Sequence, residues 1–105
     1  MNKAIEITDA NIDDIINSHA IVLVDFNAEW CGPCRMIGPV IDQLAIEETD
    51  VMIGKLNVDG NPQATMKYMV SSIPTIIFFK DGLEINRIKG VMSKAALKAE
   101  IEKLK

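Results

Sequence analysis

Hydrophobic positions change period several times along this chain, and each change marks an element. Ala4 to Ile7 alternate as a short strand does, and Thr8 is placed to cap a small helix whose apolar face is Ile12, Ile15 and Ile16. Ile21-Val22-Leu23-Val24-Asp25-Phe26 is a continuous apolar run broken by one acid, the pattern of a strand covered on both faces. From Cys34 the period becomes helical, with Met36, Ile37, Val40, Ile41, Leu44 and Ala45 on one side. Pro39 lies inside that pattern, and because the periodicity continues past it, one kinked helix is expected rather than two short ones. Val51 to Val58 reads as a further buried strand carrying an odd Lys55. Asn61-Pro62 then opens a short helix running to about Met69. Thr75–Phe79 and Leu83–Ile88 are strands joined across Asp81-Gly82, a two-residue hairpin signal. Ser93 is placed to cap a closing helix that buries Leu97, Ile101 and Leu104 and ends among Lys103 and Lys105, in favour of its dipole. The order β-α-β-α-β-α-β-β-α defines an α/β protein with a mixed sheet and helices on both faces.

Composition narrows the picture. The 105 residues, 49% apolar and 25% charged, suit one domain spanning 1–105 with a single core, and exclude a disordered chain. No apolar run approaches the ~18 residues of a membrane span. Met1-Asn2-Lys3-Ala4-Ile5-Glu6 meets an acid too early for a signal peptide, so a cytoplasmic protein is expected. A net charge of -4 argues against a nucleic-acid backbone as partner.

The chemistry concentrates in Trp30-Cys31-Gly32-Pro33-Cys34, between the strand ending near Phe26 and the helix carrying Met36 and Val40. A zinc site needs about four ligands, whereas the chain has two cysteines and one histidine, His19. Covalent haem attachment needs a histidine after the second cysteine, and Arg35 stands there. A structural staple closing so small a loop contributes roughly 2 kcal/mol before strain, which a domain of this size does not need. What remains is a dithiol that opens and closes as its task, with no metal. Residues three apart share a helix face, near enough for their sulfurs to bond. Cys31 at the helix N-terminus meets unpaired N–H groups and the positive dipole end, which favour the attacking thiolate. Cys34, one turn inside, is expected to be less exposed and to resolve. Gly32 leaves the rim without a side chain, and Pro33 fixes φ where a missing N–H costs little.

In Val24-Asp25-Phe26, Ala28-Glu29-Trp30-Cys31-Gly32-Pro33-Cys34, Ile73-Pro74-Thr75 and Gly90, the chain resembles the thioredoxin family over essentially its whole length. The resemblance implies the thioredoxin fold, a central mixed five-stranded sheet flanked by four helices. It implies a protein disulfide reductase: Cys31 attacks a target disulfide, Cys34 resolves the mixed disulfide, and a separate flavin-containing, NADPH-dependent thioredoxin reductase restores the dithiol. No bound cofactor beyond the Cys31–Cys34 couple is expected, and a monomer is. The nearest rival is a thiol oxidase or isomerase on the same fold, against which stand the lack of a signal peptide and Gly32-Pro33, a dipeptide typical of reducing members. A rival of another class is a module that binds partners through the Trp30–Pro74 surface without electron transfer.

Other residues change meaning under the resemblance. Asp25, by itself, is a carboxylate that either reaches water or a capping N–H, or is buried with its pKa raised; the resemblance implies the second, beneath Cys34 and accepting its proton through water. Lys55 at a sheet end most often snorkels; the resemblance brings it towards Asp25. Pro74 is a trans strand-starter on frequency alone; the resemblance implies a cis bond facing Cys31, with the Ile73 backbone pairing with an extended target segment. Trp30 and Gly90 join that contact surface. Asn27, where many members carry an aromatic, and Ser71-Ser72, where a basic or glycine-containing pair is frequent, depart from the family near the recognition surface. His19 reads as a surface loop residue, and Met36, Met66 and Met69, at helical spacings, as core filling.

Overall fold

The computed structural model describes residues 4–105, so the reading of Met1 to Lys3 lies outside it. Nine elements follow the expected order: β1 (Ile5–Ile7), α1 (Ile12–Ser18), β2 (Ile21–Asn27), α2 (Gly32–Glu47), β3 (Met52–Asn57), α3 (Pro62–Lys67), β4 (Thr75–Lys80), β5 (Leu83–Lys89) and α4 (Lys94–Leu104). The sheet runs β1-β3-β2-β4-β5. β1, β3 and β2 are parallel, whereas β4 is antiparallel to β2 and to β5.

β2 lies at the centre, and its alternation builds both cores. Ile21 and Leu23 face Ile37, Ile41 and Leu44 of α2 and Leu97, Ile101 and Leu104 of α4. Val22, Val24 and Phe26 face Ile12 and Ile16 of α1 and Ala64 of α3. Period-two geometry therefore puts Asp25 on the α2 side. Gly54 of β3 permits a close approach. A Cβ there would run into the side chain of fully buried Ile7 and lie 3.1 Å from Ile5 Cγ1.

Helix α2 continues through Pro39 as one helix. The Asp81-Gly82 hairpin has φ of 52° and 85° at its two residues, the left-handed pair that a type I′ turn requires. Ser93 Oγ accepts from Ala96 N–H at 3.1 Å and caps α4 as expected.

Two caps differ. Asn11, not Thr8, precedes α1, and its side chain turns back to accept from Thr8 N–H at 2.7 Å and donate to the Glu6 carbonyl. Asn61 precedes α3 but bonds Asn57 and Asp9 instead. The α3 amides are taken by Asp9, whose carboxylate accepts from Ala64 N–H at 2.7 Å and Gln63 N–H at 3.2 Å. α3 also ends at Lys67, and Met69 is left-handed at φ 52°.

Met36, Met66 and Met69 are 68%, 77% and 78% exposed, so they fill no core. Helical spacing alone did not separate the buried face from its neighbour, and a six-residue α3 has room to bury only Ala64. His19 closes α1 half-buried, with Nδ1 3.0 Å from the Ile15 carbonyl. No described helix is long and apolar enough to cross a membrane.

Candidate active site

β2 ends at Asn27, the chain turns through Ala28 to Trp30, and α2 begins at Gly32 with Cys31 as its N-cap. Pro33 falls in the first turn, where its absent N–H leaves no intrahelical bond unmade. Cys31 and Cys34 form a disulfide, with their Cα atoms 5.2 Å apart. Cys34 N–H points at Cys31 Sγ, 3.2 Å away, as a capping oxygen would be addressed. A negative charge on that sulfur would meet this donor and the positive end of a sixteen-residue helix.

The cysteines are equally covered, at 4% and 5% exposure, rather than Cys34 being the more hidden. Ala28, Val58 and Ile73 pack around the pair, so in the disulfide form the rim shields Cys31 as well. Gly32 is half-buried and Pro33 exposed beside it.

Ile73 precedes β4 and joins Pro74 through a cis peptide bond. Its carbonyl oxygen lies 3.9 Å from Cys31 Sγ, so a backbone acceptor sits against that sulfur. Pro74 is buried and Ile73 half-buried. Gly90, at φ 93°, donates its N–H to the Pro74 carbonyl at 2.9 Å and ties the end of β5 to this turn. Trp30 is 69% exposed, its indole Nε1 donating to Asp59 at 2.7 Å. Trp30, Val58, Val70, Ser71, Ser72 and Ile73 border a shallow groove of about 200 Å³ along the disulfide's flank.

Asp25 is 1% exposed, and its Oδ1 has no hydrogen-bond partner in the structure. Burial pushes its carboxyl from the ordinary 3.8 up to about 7, opposed by the positive charge of Lys55 and reinforced by Asp42. Lys55 is the register partner of Asp25 across β2 and β3, yet its ammonium donates to Asp42 Oδ2 at 3.0 Å. Asp42, on α2, was missed from sequence. Asn27 does not enlarge the contact surface as an aromatic would, because its amide folds back to the Asp25 carbonyl at 3.0 Å. Among the described residues, no group of three or more His, Cys, Asp or Glu is placed to hold a metal.

A cysteine pair closed at a helix N-terminus, a backbone acceptor against Cys31 Sγ and a buried carboxylate in the strand behind define a thiol–disulfide oxidoreductase. The Thioredoxin family model matches residues 3–103. Thioredoxin of Mycobacterium tuberculosis is 48% identical over 102 residues, covering 95% of this chain and 88% of that protein. A bifunctional thioredoxin reductase/thioredoxin of Mycobacterium leprae is 46% identical over 95 residues, 89% of this chain and 21% of that protein. A mutant thioredoxin from Halobacterium salinarum superposes with a TM-score of 0.89 at 37% identity, covering 95% of this chain and 88% of that one. The chain belongs to the thioredoxin family and is a protein disulfide reductase.

Proposed function

We propose that Cys31 is the nucleophile and Cys34 the resolving thiol of a two-electron exchange with protein disulfides. In the reduced protein, the Cys31 thiolate attacks one sulfur of a target disulfide. A mixed disulfide forms, and the other target sulfur leaves as a thiolate. Cys34 gives its proton to the Asp25 carboxylate and attacks Cys31 Sγ. The second target thiolate leaves, and the Cys31–Cys34 disulfide closes; the target gains the two electrons that this pair gives up. The observation that carries this reading is the closed pair at the start of α2, with Cys34 N–H directed at Cys31 Sγ.

Asp25 suits proton exchange because a carboxyl near 7 exists in both forms at neutral pH. Lys55 tunes it through the strand pairing that puts the two side by side. Gly32 and Pro33 shape the rim, and Trp30, Ile73, Pro74 and Gly90 receive the target. The Ile73 carbonyl, beside Cys31 Sγ, pairs with an extended target backbone, a mode that reads little side-chain identity. Regeneration falls to a thioredoxin reductase drawing on NADPH; the fusion of the two names in the Mycobacterium leprae relative supports that partner. The chain works as one domain over 1–105, as a monomer, in a reducing cytoplasm.

Turnover of a disulfide-bonded test protein with NADPH and a thioredoxin reductase checks the reading. Wild type is expected to cycle and Cys31→Ser to be inactive. Undiminished turnover in Cys31→Ser overturns it.

A further inference from the structure

The α2 side of the sheet is apolar under the middle of the helix but polar towards the site. There, Asp25 and Asn27 of β2 lie beside Lys55 and Asn57 of β3. In that patch Lys55 has a choice of carboxylates. Its strand register puts it next to Asp25, which is buried and has an oxygen without a partner. Its hydrogen bond nevertheless goes up to Asp42 on α2, at 3.0 Å.

Helix α2 and the chain entering β1 frame this bond. Gly38 stands one turn before Asp42, and a Cβ there would lie 3.7 Å from Lys55 Nζ, an ordinary van der Waals contact, so the ammonium runs close along this turn of the helix on its way to Asp42. The other oxygen of Asp42, Oδ1, accepts from Ala4 N–H at 3.4 Å, which ties the carboxylate to the chain entering β1. Both Lys55 and Asp42 keep about a third of their side chains exposed, at 31% and 32%, so the pair sits where the patch opens to solvent. A cavity of about 260 Å³, bordered by Ala4, Glu6, Asn27, Glu29, Lys55 and Asn57, marks that opening.

We propose that Asp42 is a positioning residue for the reaction: it holds the Lys55 ammonium at the solvent edge, away from Asp25, and so governs when the buried carboxylate can take the Cys34 proton. This rests on the role of Asp25 proposed above. The electrostatics run the same way. Lys55 favours the charged form of Asp25 and Asp42 disfavours it. Of the other charged groups around Asp25, Glu6 of β1 and Glu29 before α2 border the opening, while β4 presents the uncharged Thr75 and Ile76. Freed from Asp42, Lys55 swings to the carboxylate beside it and favours its ionised form.

The test is the pH dependence of the resolving step, followed as the single-turnover decay of a mixed disulfide between Cys31 and a labelled target. Asp42→Asn is expected to move the midpoint to lower pH by about one unit, and Asp42→Glu to restore it. In a Lys55→Met background the same Asp42→Asn change is expected to move the midpoint by less than half as much. An equal movement with and without Lys55 overturns the proposal, because Asp42 then acts only as a nearby charge. No movement in Asp42→Asn overturns it too, and if Asp25→Asn abolishes the pH dependence in that same series, the role of Asp25 still stands. A profile untouched by Asp25→Asn overturns the role of Asp25, and the positioning role with it.

Discussion

Trp30 is the sole indole of the chain and sits next to Cys31 with most of its surface in water. A disulfide quenches a neighbouring indole, so emission from Trp30 is expected to rise on reduction with dithiothreitol. A spectrum unchanged between the two states would contradict quenching of Trp30 by the neighbouring disulfide. The sulfur pair was legible in the sequence because three-residue spacing on a helix is a local property. Asp42 was not, since it occupies an ordinary polar position of an amphipathic helix and acquires meaning only when β3 pairs with β2 and brings Lys55 beneath it. The methionines mark the same limit: spacing locates a face, but what covers the face is decided by distant chain.

Element by element, local signals were reliable where the partner was close. The Asp81-Gly82 turn, the unbroken α2 and the Ser93 cap are fixed by residues within a few positions of one another. α3 is otherwise, because six residues make fewer than two turns and the donors at its start are satisfied by Asp9, from the segment between β1 and α1. Asp9→Ala should destabilise the fold by about 1 kcal/mol, the usual worth of such a cap, read as a lower urea midpoint with unchanged slope. An unaltered midpoint would show that water replaces the carboxylate at no cost. The edge strand β5 held a further detail that sequence did not show. Phe78 pairs with Asn86 and Phe79 with Glu84, so Ile85 is an extra residue that bulges the strand.

At the scale of the whole molecule, Asp25 makes stability depend on pH. Burial lifts its carboxyl from the ordinary 3.8, the value of the unfolded chain, to about 7 in the folded protein. Below about pH 4 both states hold the proton, and ionisation of Asp25 costs the oxidised protein no stability. Between about 4 and 7 the unfolded chain releases the proton first, so stability falls as pH rises, and the loss is complete above the folded value. It amounts to something on the order of 4 kcal/mol. Asp25→Asn removes that loss, so its advantage in denaturant melts of the oxidised form is expected to grow from pH 5 to pH 8. A gain equal at both pH values would place its origin elsewhere than in ionisation. The two faces of the sheet also divide labour. Asp25, Lys55, Asp42 and both cysteines belong to the α2 side, whereas α1 lies across the sheet with Asp14 and Ser18 turned outward. A fluorophore or surface tether attached at Ser18 would therefore ride on the molecule as a passenger, leaving the sulfur cycle to run undisturbed.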